Sequence, residues 1–544
     1  MKGAGQTTLA LLATLSLTGC DFLRGYAEGH STSLGAYETE DLSSAQLGAA
    51  RFLFDDFGAL STDTLDTGAV PWKLVAAALV LKRYPGEPAT DAHLRAVLTS
   101  YGFIFPTSVD NWPLDKAPEF RTPLGIVSGM VQRDLPRVSV EAANLGCASC
   151  HAGVTYDAQG QPQPVAWLGL PNTSLNLDDY EDAVRAALRA VLDDPARVFA
   201  AIKQLFPDVT EDELRTLQKS TWPKLADRVK AGEHEPQFRH GGPGRSNGIE
   251  ALKIQLHVKA GQLRSAAGVS IPQIGDQGMH WSLLSDGVFT RRGDPRFQLR
   301  SSAEMAPPSR TAEIVAFFTM PTMGLHPDEA PKAVESVTEV LNFLSHYQPP
   351  KYPGVIDEAA AARGAVIYAR CVECHGEYIE REGRLRLRGF PNRLSPLAEI
   401  GTDAARAQAV NVEVVDAVEI SALGKFIDAA ETRGYVAPSL SGVWATAPYL
   451  HNGSVPTLAS LMTPSERPAR FWVGGHRLDF RKGGIAGEMN AAGEYAYPAD
   501  YLPWSTPRLF DTSRPGQSNR GHEREFDGLS ASDKADLIEF LKQL

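Results

Sequence analysis

Cysteine is scarce in this chain, and its scarcity narrows what the protein can be. Only five cysteines occur among 544 residues, too few for a scaffold held together by disulfides. Basic residues are also in the minority, 53 against 65 acidic ones, and the formal net charge of −12 argues against a nucleic-acid-binding or polybasic membrane-binding protein. The hydrophobic content of 43% and charged content of 22% are those of a globular chain, which excludes a disordered or fibrous protein.

Long apolar runs are missing after residue 20, so no later segment is expected to cross a membrane. Residues 1–20 (MKGAGQTTLALLATLSLTGC) place Lys2 before a short apolar run that ends at Cys20. This ending resembles the bacterial lipobox, which implies that Cys20 carries a lipid. The alternatives are an ordinary signal peptide and a buried apolar helix at the N-terminus. We therefore expect a protein on the periplasmic side of a bacterial membrane or on the cell surface, attached to the membrane only through this lipid.

The other four cysteines form two identical C-x-x-C-H motifs, CASCH at 147–151 and CVECH at 371–375. This is the attachment pattern of c-type haem: two thiols one helical turn apart bond the porphyrin, and the adjacent histidine reaches the iron. A structural zinc site is the alternative, but its cysteine pairs usually lie about 12–20 residues apart, and these motifs lie in opposite halves of the chain. We predict two covalently bound haem c groups. The predicted attachment residues and proximal ligands are Cys147, Cys150 and His151 for the first haem, and Cys371, Cys374 and His375 for the second.

The pattern of apolar residues along the chain is mostly helical. Helices are predicted at 46–58, 73–84, 91–100, 178–204, 210–231, 331–346, 358–370 and 530–544. No convincing series of strands is present, so we predict a mainly α fold of two cytochrome c-like haem domains with long irregular loops and few strands. A proline-rich stretch between the halves marks the domain boundary. The predicted division is a signal peptide at 1–20, a tether at 21–45, an N-terminal haem domain with insertions at 46–348, and a C-terminal cytochrome c-like haem domain at 355–544.

Three segments resemble known haem proteins. Residues 445–458 (ATAPYLHNGSVPTL) resemble the TAPYxHxG segment of bacterial di-haem cytochrome c peroxidases and their relatives. Residues 511–523 (DTSRPGQSNRGHE) and 167–174 (WLGLPNTS) are similar to segments of the rubber-oxygenase-like branch of that superfamily. In that branch a late histidine supplies the sixth ligand of the C-terminal haem, which makes His522 the first choice, with His451 and Met462 as alternatives.

The resemblance also implies a division of labour between the two haems. The C-terminal haem is expected to be six-coordinate and to relay electrons, because a second strong ligand favours electron transfer. The N-terminal haem is expected to react with O2, as in rubber oxygenases, or with H2O2, as in peroxidases. We therefore expect a haem oxidoreductase that exchanges electrons with a small redox protein; the alternative is a non-catalytic di-haem electron-transfer lipoprotein.

The reactive pocket is less clearly marked than the haem motifs. His280 and Trp281 lie in a segment whose counterpart in the relatives is near the first haem, and Phe317 is a candidate for an apolar wall. Ordinary core packing is an equally good interpretation of the aromatic residues. Arg245, in the turn-rich GPGRSNG segment, is a candidate for a charge-assisted bond to a haem propionate.

Overall fold

The computed structural model describes residues 28–61, 69–134, 137–231, 241–258, 268–304 and 307–544. The predicted signal peptide at 1–20, its Cys20 and the first part of the tether lie outside the described residues. The rest of the predicted tether contains strand Glu28–Gly29, which pairs with a longer strand of the N-terminal half. In the part of the chain that is described, no helix combines the length and apolar character needed to span a bilayer.

Helices form the larger part of the ordered structure. They are α1 (Gly35–Glu38), α2 (Ser44–Phe54), α3 (Trp72–Arg83), α4 (Asp91–Ser100), α5 (Cys147–His151), α6 (Leu177–Val191), α7 (Pro195–Leu205), α8 (Glu211–Thr216), α9 (Trp222–Ala231), α10 (Gly248–Gln255), α11 (Pro308–Thr322), α12 (Ala330–Leu344), α13 (Glu358–Tyr368), α14 (Val372–His375), α15 (Leu397–Ile400), α16 (Val412–Ile420), α17 (Leu458–Met462) and α18 (Ala531–Leu541). Several begin at side-chain caps: Thr90 accepts a hydrogen bond from the amide of His93, and Ser530 forms a capping box with Asp533.

The prediction of a mainly α chain with few strands is wrong, because the fold is a mixture of 40% helix and 17% strand distributed over many small sheets. The strands are β1 (Glu28–Gly29), β2 (Val70–Pro71), β3 (Ser108–Val109), β4 (Ile126–Asp134), β5 (Arg137–Leu145), β6 (Ala152–Tyr156), β7 (Pro162–Leu168), β8 (Arg245–Ser246), β9 (Val269–Ser270), β10 (Ser282–Leu283), β11 (Phe289–Arg291), β12 (Arg300–Ser301), β13 (Glu377–Arg381), β14 (Arg384–Phe390), β15 (Leu394–Pro396), β16 (Ile427–Ala429), β17 (Gly434–Val436), β18 (Arg470–Val473), β19 (Leu478–Asp479), β20 (Gly484–Ile485), β21 (Glu488–Met489), β22 (Tyr495–Ala496) and β23 (Arg508–Asp511). Most are too short to produce a readable two-residue alternation.

The first haem motif lies where two apolar cores meet. Helix α5 follows the long hairpin β4–β5 and leads directly into β6. Cys147 packs against a core that contains Phe289 and Phe317, which we call the first core, and Cys150 packs against a second core built around α3. Gly125 is required beside this helix, since a Cβ there would lie 1.9 Å from the backbone nitrogen of Ser149 and its φ is +79°.

The second haem motif is held by two helices of the C-terminal half. Arg363 of α13 donates two hydrogen bonds to the carboxylate of Asp536 in α18, at 2.7 and 2.8 Å. Gly364 allows the helices to cross closely, because a Cβ there would be 2.1 Å from the carbonyl oxygen of Asp536. The hydroxyl of Tyr368 donates to the carbonyl of Gly376, directly after the motif, at 3.0 Å. These contacts fix the turn that carries His375.

Two small sheets join strands from the two sides of the predicted domain boundary. β11 pairs with β16 through Phe289 and Ala429, and β12 pairs with β14 through Arg300 and Phe390. Backbone hydrogen bonds therefore connect the two halves on either side of residues 349–354. The division into domains at this point stays a prediction.

Candidate haem sites

The proximal histidine of the first motif is oriented by a backbone carbonyl. Nδ1 of His151 lies 3.0 Å from the carbonyl oxygen of Pro272. A carbonyl oxygen only accepts, so Nδ1 carries the proton and Nε2 keeps the lone pair that a metal needs. Burial lowers the pKa of His151 to about 4, which keeps the ring in the neutral, metal-binding form at physiological pH.

The second motif repeats this arrangement. Nδ1 of His375 donates to the carbonyl oxygen of Pro438 at 2.8 Å, and burial lowers the pKa of His375. The four cysteines of the two motifs are free thiols and form no disulfide. Each motif therefore presents two thiols and one neutral imidazole whose Nε2 is available, the donor set that covalent attachment of haem c uses. The residues present fit the cofactor.

A second histidine faces the proximal one at the second motif. The ring of His522 lies 6.2 Å from the ring of His375, measured between ring centres, with 34° between the ring planes. Two imidazoles that bind one metal from opposite sides, with metal–nitrogen bonds of about 2 Å, have ring centres about 6 Å apart. Burial lowers the pKa of His522 to about 3, so this ring is also neutral. The spacing would allow His375 and His522 to hold one haem iron between them.

The chain places His522 there through an irregular turn. Gly521 and His522 have φ angles of +117° and +58°, and the amide of His522 donates to the carbonyl of Ile400 at 3.3 Å. Of the two alternatives predicted from the sequence, His451 lies close enough to His522 for the two rings to interact electrostatically. His451 stacks on Tyr435 with ring centres 4.2 Å apart, and Met462 is only 1% exposed in the core of the C-terminal half. The choice of ligand stays a prediction.

The three residues predicted for the reactive pocket are divided between two regions. The ring of His280 lies 4.4 Å from that of Phe390 in β14, and burial lowers the pKa of His280 to about 4. The guanidinium of Arg300 covers the ring of Trp281 at 3.3 Å. Phe317 is fully buried in the first core and contacts Phe289 edge-to-face at 5.3 Å. Phe317 therefore shares a core with Cys147, whereas His280 faces the second half of the chain.

Buried polar atoms without hydrogen bonds occur around Arg245. Its guanidinium lies over Phe510 at 4.2 Å and its Nε donates to the carbonyl of Gly241, but within the described part of the chain its Nη1 makes no hydrogen bond. His476 is 1% exposed, and neither of its ring nitrogens has a hydrogen-bond partner among the described residues. Segments carrying the two residues touch, because a Cβ on Gly474 would lie 3.1 Å from Pro243. Buried polar groups are almost always paired, so this region suits an anionic group such as a haem propionate.

Sequence reasoning did not identify Pro272, Pro438 or His476. The two prolines do carry a readable signal, since each stands in the same local pattern of proline, polar residue and aliphatic residue, Pro272-Gln273-Ile274 and Pro438-Ser439-Leu440. His476 carries no such signal, because a buried histidine without partners is recognised only when its surroundings are known.

The comparisons with known proteins agree with a cytochrome. Residues 434–473 match the family model described as RoxA-like, cytochrome c-like. This chain contains a cytochrome c-like segment. The matched segment includes Pro438, the carbonyl partner of His375, and it implies that the protein binds haem c.

Two curated relatives from Sinorhizobium fredii (strain NBRC 101917 / NGR234) also match. The uncharacterized protein y4iJ is 31% identical over 266 residues, which cover 37% of this chain and 42% of the relative. The uncharacterized protein y4iM is 31% identical over 244 residues, which cover 37% of this chain and 52% of the relative. The chain thus spans about half the length of these relatives.

Proposed function

We propose that this chain is an exported, lipid-anchored di-haem c-type cytochrome that works as an oxidoreductase. The proposal rests on two haem motifs with the same hydrogen bond at the proximal histidine. Nδ1 of His151 bonds to the carbonyl of Pro272, and Nδ1 of His375 bonds to the carbonyl of Pro438. When bound, the two haems supply the electron exchange and the activation of O2 or H2O2. The protein supplies two oriented histidines, attachment thiols and buried surroundings. Export and lipid attachment follow from the lipobox-like end of residues 1–20.

The single observation that carries the division of labour is the ring-to-ring distance of 6.2 Å between His375 and His522. If His375 and His522 both bound the haem iron, no position would remain for O2 or peroxide, which would suit electron relay. Burial keeps both rings neutral and therefore ready to bind the metal. In this proposal the second centre receives electrons from, or passes them to, a small redox protein.

The first centre is proposed as the reactive one. Cys147 packs against the first core, whose aromatic members include Phe289 and Phe317. An apolar environment excludes water and suits O2 and an apolar substrate, whereas peroxide reduction calls for a polar group that transfers protons. His280 is the sequence candidate for that group, but its ring packs against Phe390 of the C-terminal half. The apolar packing favours oxygenase-like chemistry, with peroxidase chemistry as the second outcome to test.

The decisive experiment is spectroscopy on the purified protein combined with a haem count. We expect two haem c per chain, one low-spin centre with two histidine ligands and one high-spin centre that binds CO after reduction. The half-reduced form must be included, because some di-haem enzymes open their reactive site only in that state. Two low-spin centres that neither bind CO nor react with peroxide in any redox state would favour the non-catalytic electron carrier.

Substrate assays then separate the two reactive chemistries. The same preparation is given H2O2 with a reduced donor and, separately, O2 with a polyisoprene or another olefin. Peroxide consumption alone identifies a peroxidase, and oxygen uptake with cleavage of the olefin identifies an oxygenase. A double variant, Cys371→Ser with Cys374→Ser, serves as a matched control because it keeps the first motif while removing attachment at the second.

A further inference from the structure

The two carbonyls that orient the proximal histidines are followed by residues that contact each other. Pro272 precedes Gln273, and Pro438 precedes Ser439. The side-chain amide Nε2 of Gln273 donates to the hydroxyl of Ser439 at 2.9 Å. A continuous chain of covalent and hydrogen bonds therefore runs from His151 through these four residues to His375.

Asp276 forms hydrogen bonds with both Gln273 and Ser439. Its Oδ2 accepts a hydrogen bond from Nε2 of Gln273 at 3.1 Å and another from the hydroxyl of Ser439. The carbonyl of the Gln273 side chain accepts from the amide of Gly275 at 2.8 Å, which fixes the direction of its amide group. We call Gln273, Asp276 and Ser439 the proximal bridge.

The surroundings of the proximal bridge hold it in place. Ser439 is only 5% exposed. On the other side, Gly275 is packed so closely against Tyr347 that a Cβ there would overlap the tyrosine ring, at 1.8 Å. A shift of Pro272 therefore has to move the bridge, and the bridge has to move Pro438. Hydrogen-bond networks of this kind are rigid when every member is satisfied, so the loss of one member is expected to disturb the whole network.

We propose that the proximal bridge couples the two haem centres by linking the acceptors of both proximal histidines. The strength of an Nδ1–H···O=C hydrogen bond sets how strongly the histidine donates to a metal, and outer partners of this type tune reduction potentials. A change at one carbonyl is passed to the other through Gln273 and Ser439, so each centre responds to the state of its neighbour. These three residues act on the histidines through Pro272 and Pro438 and are therefore positioning residues. The inference rests on the proposed function, since it requires both haems.

Spectroelectrochemical titration of the two haems tests the coupling. Gln273→Leu and Ser439→Ala each cut the bridge at a different end. We expect each single variant to shift the midpoint potentials of both centres, by about threefold to tenfold in the reduction equilibrium constant, where tenfold is about 59 mV for one electron. The double variant should shift them no further than either single variant, because both changes break the same connection.

Control variants distinguish a loss of coupling from a folding defect and from a failure of the proposed function. Ser439→Thr retains the hydroxyl and should keep the wild-type potentials. Gln163→Leu removes a glutamine that donates to Asp157 instead of to a bridge residue, and it should leave the potentials unchanged. A wild-type protein without two haem c overturns the proposed function. Two haems whose potentials shift only at the altered end overturn the coupling alone. If Gln273→Leu does not fold, Ser439→Ala compared with Ser439→Thr still decides; if Ser439→Ala does not fold, Gln273→Leu decides.

Discussion

His375 and His522 face each other at 6.2 Å although they come from the beginning and the end of the C-terminal half. The first is carried by the short helix after α13, and the second by a turn whose amide is bound to the carbonyl of Ile400. Neither segment places its ring without the rest of the half folded between them. The distance between the two rings therefore depends on the tertiary structure of the C-terminal half as well as on the ligands of the second haem.

Replacing His522 with alanine should convert one of the two haems from low-spin to high-spin. The variant removes the ring that faces His375 and leaves the attachment residues intact. Electron paramagnetic resonance and the absorption spectrum of the ferric protein measure the change. His451→Ala and Met462→Leu are matched controls, and we expect both to retain the low-spin signal. Loss of that signal in His451→Ala, with retention in His522→Ala, would assign the ligand to His451.

Replacing His476 with leucine separates a haem-binding role from simple burial. If a propionate binds this histidine, the holoprotein should lose about 1–3 kcal/mol of unfolding free energy, since a charged group is left without its partner. Urea unfolding followed at the haem absorption measures this. An apolar residue in place of an unpaired buried histidine would otherwise be neutral or stabilising. His346→Leu, at an exposed position, is the control.

Asp56 should make the protein less stable as the pH rises from about 4 to about 6. Burial is the main reason that the pKa of this carboxyl is raised from 3.8 to about 6, although its Oδ2 accepts from the amide of Leu60. The folded state therefore binds this proton more tightly than the unfolded state, so the contribution of Asp56 to stability is most favourable below pH 4 and is lost as the pH rises through 6. The shift corresponds to at most about 3 kcal/mol.

The variant Asp56→Asn keeps an acceptor for Leu60 and removes the titration. It should unfold at a higher urea concentration than the wild type at pH 7 and lose this part of the pH dependence. Asp41→Asn, at an exposed position, is the control and should follow the wild type. Identical pH profiles for Asp56→Asn and the wild type would contradict the prediction.

Gly364→Ala should weaken the crossing of α13 and α18. The added Cβ would meet the carbonyl of Asp536 at 2.1 Å, so the helices have to separate, at a cost of about 1–3 kcal/mol. Thermal unfolding with detection at the second haem measures the loss. Ala362→Ser, at an exposed position of α13, should change stability by less than about 0.5 kcal/mol. Equal melting temperatures for the two variants would show that the crossing tolerates the methyl group.

Replacing Cys20 with alanine tests the anchor. The variant should lose lipid labelling and move from the membrane fraction to the soluble periplasmic fraction, because the lipid is the proposed attachment. Fractionation of expressing cells and labelling with a tagged fatty acid measure this. Haem content should be unchanged. If the variant remains in the membrane fraction, the lipoprotein prediction is wrong.

Local signals in the sequence predicted the helices well. The helix at 91–100 is confirmed with Thr90 as its cap, since capping acts within a few residues. The predicted helix at 178–204 is two helices, because Asp194 caps a new one that begins at Pro195. Both features can be read from neighbouring residues alone.

The strands and the site geometry depend on residues far apart in the chain, and most were not predictable. Val138, Val140 and Ala142 do occupy alternate positions of β5, and this two-residue apolar pattern is typical of a strand. By contrast, β11 has only three residues and finds its partner β16 in the other half. The resemblance to haem proteins suggested His522, but its distance from His375 required the structure.

The sheets shared between the two halves bear on how the protein could be divided. A fragment that starts at residue 355 would keep Cys371, His375 and His522 but would lose the strands that pair with β14 and β16. Unpaired edges of this kind recruit other chains and cause aggregation. Recombining the C-terminal half with a foreign partner would therefore require a substitute for β11 and β12. The pairing of β14 and β16 with strands of the N-terminal half therefore limits the exchange of the C-terminal half between proteins, whatever its haem chemistry.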